Sequence, residues 1–230
     1  MTRKDTHSMD LSNFKGCKPP ARQPLIGEYV RLEPIDASAH AALTHALCGP
    51  ENESLWDYIP IYQPKAEELL QTLIASEQSQ GWVTHILIDQ KTNAPLGTAS
   101  LMRLRPEQGS AEIGFVVFGH ALQRTAAATE VIYLTASYLF DELGYRRYEW
   151  KCNNDNEASK RAALRFGFKF EGVFRNDMVV KGKNRDTAWF AMTDDDWREL
   201  KPGYETWLNP ENFDADGRQI VGLADALKLT

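Results

Sequence analysis

Cysteine is scarce in this 230-residue chain: only Cys17, Cys48 and Cys152 are present. They are odd in number and far apart, and no Cys-x-x-Cys or mixed Cys/His ligand spacing occurs. That pattern suggests neither a disulfide framework nor a zinc site, and reads as small buried residues or inert thiols. Histidine is nearly as sparse, with five scattered copies and no His-Glu-x-x-His, so metal catalysis has no sequence support and no metal is expected. Long apolar runs are missing as well. No stretch approaches the roughly 18–20 residues that cross a bilayer, and the opening "MTRKDTHSMDLSNFKG" lacks an apolar region of signal-peptide type. A cytoplasmic protein with no membrane partner is expected. Positive charge is in the minority, with 26 Lys+Arg against 32 Asp+Glu and a formal net charge of -6. A nucleic-acid backbone as main partner needs a basic footprint and is thereby disfavoured, a local basic patch apart.

What is present is enough apolar sequence for one sizeable core. Residues 1–24 mix charge, Pro-Pro and Ser/Asn without periodicity and read as an extended or partly disordered arm. From Leu25 the patterning becomes regular. "EYVRLEPI" alternates like a strand, "ASAHAALTHALC" has helical character up to Gly49-Pro50, and a second helix is expected from Lys65 to Ser79. "GWVTHILID", "LGTASLMRLR" and "SAEIGFVVF" then read as three successive strands, which suggests an antiparallel meander. Between Thr125 and Leu143 the period shifts to that of a helix, with Ala128, Val131, Ile132, Thr135, Leu139 and Leu143 on one face and Gly144 as the stop. "YRRYEWKCN" is a strand again, "NEASKRAALRF" a short helix closed by Gly167, and "FKFEGVFR" with "NRDTAWFAM" a closing hairpin. The order implies an α+β (mixed α/β) fold whose mixed sheet holds a βαβ unit in its middle. "TDDDW" is expected to open a last helix with Thr193 or Asp194 as cap. Beyond residue 200 the chain is Gly/Pro/Asn/Asp-rich and reads as an appended tail of 201–230, leaving one domain over 25–200.

Two stretches carry candidate chemistry. "HALQRTAAATEV" places Gln123, Arg124 and Thr125 just before a helix whose first residues, Ala126, Ala127, Ala128 and Thr129, are small. It follows the third meander strand, at the strand end where open α/β sheets bind ligands. A helix start there offers unpaired N–H groups and a positive dipole end to an anion such as phosphate. Thr125 serves as a cap and Arg124 as a charge-assisted contact. In "CNNDNEASKRAALRFGFKFEG", Asn156 and Ser159 stand three apart at a helix start, on one side of its first turn. Taken singly, each stretch also reads as ordinary helix capping by Thr125, by Asp155 or by Asn156.

In combination, "AEIGFVVF" entering "QRTAAA", a long helix ending "ELGYRRYEW", then "NEAS…ALRFGFKFEGVFR" and "KGKNRDTAWFAM" give a specific match over about three quarters of the chain. In order and spacing the sequence resembles the GNAT superfamily of acyl-CoA N-acyltransferases, and within it the ribosomal-protein N-terminal acetyltransferase-like branch. The resemblance implies a mostly antiparallel central sheet flanked by helices, with a splayed parallel strand pair at the CoA site. It implies acetyl-CoA as co-substrate, with its pyrophosphate on Gln123 to Thr129 and Asn156 at its pantetheine arm. The family loop reads Gln/Arg-x-x-Gly-x-Gly/Ala. Gln123 and Ala128 fit it, and Ala126 stands where glycine is usual, so a positive φ there would be disfavoured, whereas an Ala126 already in the helix keeps its N–H directed at the ligand.

Amide formation needs an amine that has lost its proton, hence a base or a water chain. Glu112 of "AEIGF" matches the strand position at which histone-acetylating relatives carry a glutamate base; the competing reading is that it pairs with an arginine on a neighbouring strand. Backbone N–H groups around Val116, Val117 and Phe118 are the candidates to stabilise charge on the thioester oxygen, with Gly114 marking a bulge that turns one away from ladder pairing. Ser159 is, by resemblance, the candidate proton donor to the leaving thiolate. Asp186, Arg185 and Trp189 alternate on the last strand, where Asp186 either pairs with Arg146 or Arg147 or holds a cationic amine. Trp56, Tyr58 and Tyr62 either line an acceptor groove or belong to the core. Cys152 has no evident histidine partner, so direct transfer rather than an acyl-enzyme is expected. The acceptor is an amine, a protein N-terminus or a small molecule, and the chain a monomer or homodimer. A rival reading is a catalytically inactive acyl-CoA-binding sensor, motivated by Ala126. A phosphoryl-transfer enzyme lacks any Gly-x-x-x-x-Gly-Lys loop.

Overall fold

The architecture follows from where the alternating segments bury. In a computed structural model describing residues 11–229, eight strands form one sheet: β1 (Leu25–Ile26), β2 (Val30–Pro34), β3 (Val83–Asp89), β4 (Pro95–Arg105), β5 (Ser110–Phe118), β6 (Arg147–Asn153), β7 (Lys169–Val180) and β8 (Lys183–Thr193). Their order is β1-β2-β3-β4-β5-β6-β8-β7, antiparallel throughout except for the parallel pair β5 and β6. The meander and the central βαβ unit read from the sequence are both there, and β1 is an addition too short for any periodicity to reveal.

Helices cover the two faces unequally. Against one face lie α3 (Ala126–Ser137) and α5 (Asp194–Leu208), whose Val131, Ile132, Trp197 and Tyr204 bury with Tyr148 and Trp150 of the sheet. Against the other, over its β3–β5 side, lie α1 (His40–Leu47) and α2 (Ala66–Gln80), packing Leu43, Leu47, Leu69 and Leu73 with Ile86 and Val117. The helix expected from Thr125 to Leu143 is regular only to Ser137. It continues as one π turn over Tyr138–Glu142, closed by Leu143 N–H on the Tyr138 carbonyl at 3.1 Å, which lets Tyr138, Leu139 and Phe140 all reach the core. A short helix α4 (Glu157–Arg165) precedes the closing hairpin, whose first strand runs on to Val180, five residues beyond the expected Arg175.

Thr193 caps α5 as expected, in a reciprocal box with Asp196: its Oγ1 accepts from Asp196 N–H and Asp196 Oδ2 from Thr193 N–H. The region past residue 200 is packed rather than appended. α5 passes through Pro202 to Leu208, α6 (Leu223–Ala226) lies on Gly203, and Trp207, Leu223 and Leu227 join the main core. The described part of the N-terminal arm is likewise held down: Ala21 N–H donates to Tyr138 Oη at 2.8 Å and Phe14 lies under the Arg146 guanidinium. Residues 1–10 of that arm, and Thr230, lie outside the described residues. Cys48 and Cys152 are buried, Cys17 is half-buried, and all three are free thiols.

One core residue ties stability to pH. His85 of β3 is 1 % exposed and its Nε2–H donates to the Gln23 carbonyl at 3.0 Å. Burial brings its pKa down from 6.5 to about 4. Between those values the unfolded chain binds a proton that the folded chain refuses, so stability rises with pH across the window and is lost as pH falls through it. Urea denaturation should show roughly 3 kcal/mol less stability at pH 4 than at pH 7 from this group, and in His85→Gln that part of the slope should vanish; an unchanged slope would assign the acid loss elsewhere.

Candidate active site

The site begins where the sole parallel pair among the described strands gives up its ladder. β5 and β6 are in register from Ser110↔Arg147 to Ile113↔Trp150 and then part. On its other side β5 bulges: Thr98 and Ser100 of β4 face Val117 and Gly114, so three steps on β5 oppose two on β4. Gly114 sits at the expected bulge, but the left-handed residue is Phe115, with φ 47°. Gly114 is needed for space instead, since a Cβ there would overlap Met102 Sδ and lie 2.9 Å from Glu112 Oε1. The strained Phe115 is held by ring contacts with Trp56 and Trp82, centroids 6.4 and 5.8 Å away.

A cavity of about 1480 Å³ opens at this parting. Val116, Val117 and Phe118 line it, as do Gln123, Arg124, Thr125, Ala126 and Ala128. The turn into α3 is built by side chains that close on backbone: Gln123 Nε2 donates to the Phe118 carbonyl at 3.0 Å, and Thr125 Oγ1 accepts from Ala128 N–H at 3.2 Å. Arg124 takes the positive φ, 63°, that the family glycine pattern had suggested for Ala126. Ala126 is already the first helical residue, so its methyl meets no conformational penalty. The first-turn amides of a helix have no acceptor within it, and of these the Ala128 N–H is met by Thr125 while Ala126, at the cavity wall, has no such cap. Ala127 and Thr129 do not line it. Their side chains turn into the core, and Thr129 Oγ1 accepts from Arg165 at 3.1 Å.

On the far side of the parting, Asn156 caps α4 by accepting Ser159 N–H at 3.0 Å, and both side chains line the cavity. Ser159 Oγ in turn accepts from Trp150 Nε1 at 3.0 Å, while its own hydroxyl lies beside the Cys152 sulfur. Burial pushes the neighbouring Cys152 thiol up against the pull of the Ser159 hydroxyl, so Cys152 is no thiolate nucleophile.

Glu112 reaches the same cavity and is 4 % exposed. The arginine pairing is present: Arg103 Nε of β4 lies 3.3 Å from Oε2, joined by Lys151 Nζ of β6 at 3.1 Å. Burial nevertheless raises its carboxyl above the ordinary range, against the opposing charge of Lys151. Sequence reasoning missed its in-register neighbour Glu149, which accepts from Arg105 at 2.6 Å and from Arg147 at 2.8 Å. The signal was the alternation Arg147, Glu149, Lys151 in "RRYEWKCN", a charged row on one face of a strand whose other face is apolar.

Two further expectations are corrected, those for Asp186 and for Tyr62. Asp186 pairs with neither Arg146 nor Arg147, and it does not line the cavity. Its Oδ1 accepts from Asn176 N–H at 2.8 Å and from Asn184 at 3.0 Å, serving a break in the β7–β8 register where Asn176 has φ 53°. Trp56 is core, with its indole N–H on the Leu47 carbonyl, whereas Tyr58 lines the cavity. Tyr62 is exposed and lies under Lys181 at the tip of the β7–β8 hairpin, and Lys181 Nζ also donates to the Trp56 carbonyl at 2.6 Å. Among the described residues no group of three or more His, Cys, Asp or Glu could hold a metal, and no helix is long and apolar enough to cross a membrane.

A mostly antiparallel sheet split at one parallel pair, with a capped helix start beside the split, defines the acyl-CoA N-acyltransferase class of fold. Residues 30–169 match the family model described as "Acetyltransferase (GNAT) domain", and the chain belongs to the GNAT acetyltransferase family and is an acyltransferase. A GCN5-related N-acetyltransferase from Brucella melitensis superposes with a TM-score of 0.90 at 40% identity, covering 95% of this chain and 100% of that one. A probable GNAT acetyltransferase from Chromobacterium violaceum gives 0.75 at 37% identity, covering 82% and 94%. A curated relative, Uncharacterized N-acetyltransferase YoaA of Bacillus subtilis (strain 168), is 33% identical over 128 residues, 56% of this chain and 72% of that protein.

Proposed function

We propose that this chain moves an acetyl group from acetyl-CoA to a primary amine by direct attack in a ternary complex. The observation that carries the proposal is one cavity bordered by three things at once: the free helix start of α3, the split between β5 and β6, and the buried carboxylate of Glu112. A volume of about 1480 Å³ exceeds that of an ordinary single-ligand pocket, roughly 300–1,000 Å³, which suits two substrates held together. The donor's pyrophosphate falls to the α3 amides and Arg124, and its amide-bearing arm to the strand edge at Val116–Phe118 and to Asn156. A backbone N–H freed by the β5 bulge stabilises charge on the acyl oxygen. Glu112 takes the amine proton, and Ser159 supplies one to the departing sulfur. The acceptor is a small-molecule amine or a protein N-terminus, the latter suggested by the sequence's likeness to the ribosomal branch.

Thermal unfolding with acetyl-CoA, against ATP and NAD as controls, tests the donor half. Ligand at 100 times its dissociation constant should add about 2.7 kcal/mol, and equal shifts with all three compounds would remove acetyl-CoA as the donor. Asn156→Ala should weaken acetyl-CoA about tenfold, the worth of one hydrogen bond, and also cost about 1 kcal/mol of fold stability as a lost cap. Asn156→Ser keeps a capping oxygen, so titration calorimetry on both variants separates the two effects. An unaltered dissociation constant in both would take Asn156 out of the site.

A further inference from the structure

The sheet face that carries Glu112 is a ledger of charges with one account open. Arg103 and Lys151 are paired with Glu112, and Arg105 and Arg147 with Glu149. Arg185 of β8 lines the cavity, and among the described residues it is in no ion pair. Its Nε is buried without a partner, and its Nη1 has only the Met178 sulfur, a weak acceptor 3.7 Å away. Two residues along the same strand, Thr187 is 1 % exposed, lines the same cavity, and its Oγ1 has no partner. Two residues further, Trp189 Nε1 is buried and unpaired, with Lys151 4.7 Å above its ring.

Residues two apart on a strand point to one face. Arg185, Thr187 and Trp189 therefore share the face of Lys151 and Glu112, the opposite of that on which Trp150 meets α4. Buried polar groups in native proteins are nearly always satisfied, and the two of these three that line the cavity, Arg185 and Thr187, mark the place of a missing partner. A guanidinium fork beside a hydroxyl matches an oxyanion. The donor's phosphates do not answer this need, because their proposed seat, the α3 start, belongs to the other face.

We infer that the acceptor is an amine that also bears a carboxylate, an amino acid or a short peptide, with the carboxylate on Arg185 and Thr187 and the amine toward Glu112. This rests on the acetyl-transfer reading above. The reaction is unchanged by it: the N–C bond forms, the C–S bond breaks, and the proton lost by the amine is balanced by the one gained by the CoA sulfur. The Arg185 cation and the Glu112 carboxylate thus stand on one face, complementary to a zwitterion. The side of the cavity at Tyr58 and Trp82 is aromatic, which suits an apolar side chain between the two ends. Polyamines and other polycations are disfavoured by Arg185 and Lys151.

The test is thiol release from acetyl-CoA with matched acceptors: amino acids and dipeptides of increasing amine-to-carboxylate length, each beside its amide and its decarboxylated amine. The best acid should exceed its amide at least tenfold in kcat/KM. Arg185→Gln should lower kcat/KM for that acid 10- to 100-fold, mainly through KM, and bring the acid-to-amide ratio near one. Thr187→Val should do the same to a smaller extent, several-fold. Acetyl-CoA affinity within twofold of wild type would show that the variants are folded. A protein that binds acetyl-CoA yet acetylates no acid in the panel, or prefers amides and polycations with Arg185→Gln silent, overturns the inference and leaves the donor half of the proposed function standing. Failure to bind acetyl-CoA at all overturns both.

Discussion

Replacing Glu112 by glutamine is expected to lower kcat about a hundredfold near neutral pH, the usual worth of a positioned base, with acetyl-CoA affinity kept. The carboxyl is buried and its pKa is raised, so in the wild type the acid limb of the pH–rate profile should follow its deprotonation: rate increases as pH rises through that raised value. The glutamine variant should lack this limb. Its deficit should also narrow toward high pH, since an α-amine loses its own proton near pH 8 without help. Glutamine is nearly isosteric, and Arg103 is half exposed, so the ion pair lost with the charge is partly replaced by water. Superimposable profiles in the two proteins would leave Glu112 as a structural partner of Arg103 and Lys151 and hand the proton to a water chain.

The largest effect on folding is expected from Glu130→Ala, about 2–4 kcal/mol: roughly 1–3 kcal/mol for the buried Val30 N–H left unpaired, and less for the part-buried Glu28 and Tyr29 N–H groups, which water can reach. Glu130 stands on α3, five residues into the helix, and its carboxylate accepts three consecutive backbone N–H groups: Glu28 at 2.7 Å, Tyr29 at 2.7 Å and Val30 at 2.8 Å. The turn between β1 and β2 is thereby wrapped around a side chain a hundred residues away. Gly27 makes this closeness possible, since a Cβ there would overlap the carboxylate. Chemical denaturation of Glu130→Ala and of Gly27→Ala should show comparable losses. A change under 1 kcal/mol in the first would mean that water replaces the carboxylate at no cost.

Legibility in the sequence divided along a physical line. Segments whose burial is periodic announced themselves: "SAEIGFVVF" became β5 residue for residue, and Thr193, one of the two caps that "TDDDW" offered, caps α5. The α3 start was legible too, because capping is a local transaction between Thr125 and Ala128. What stayed hidden depends on partners distant in sequence. Nothing near Phe115 or Arg124 signals a positive φ, which is imposed by a bulge against β4 in one case and a turn closed on Phe118 in the other. Asp186 looked like a charge in search of an arginine and serves a backbone irregularity instead. The packing of Trp207 and Leu223 was masked by glycine, proline and asparagine between them, which break periodicity without preventing burial. Glu112 was legible through the family resemblance and a pairing with some arginine of a neighbouring strand was anticipated, whereas that arginine's identity, Arg103, and the partner Lys151 required the registers of β4, β5 and β6.

The β7–β8 hairpin outruns the rest of the sheet: β6 ends opposite Thr187, while β7 and β8 stay paired out to Val180 and Lys183. A ribbon clamped at one end is a cantilever, soft at its tip. Here the tip is anchored as well, by Lys181 on the Trp56 carbonyl, so the ribbon is a bridge resting on two piers. Arg185 lies along the span, and the clearance beneath it is therefore set by a contact with a different part of the chain. The loop around Trp56 and the hairpin are thus joined at the tip, and both lend residues, Leu55 and Tyr58 from one and Met178 and Arg185 from the other, to the wall of the cavity.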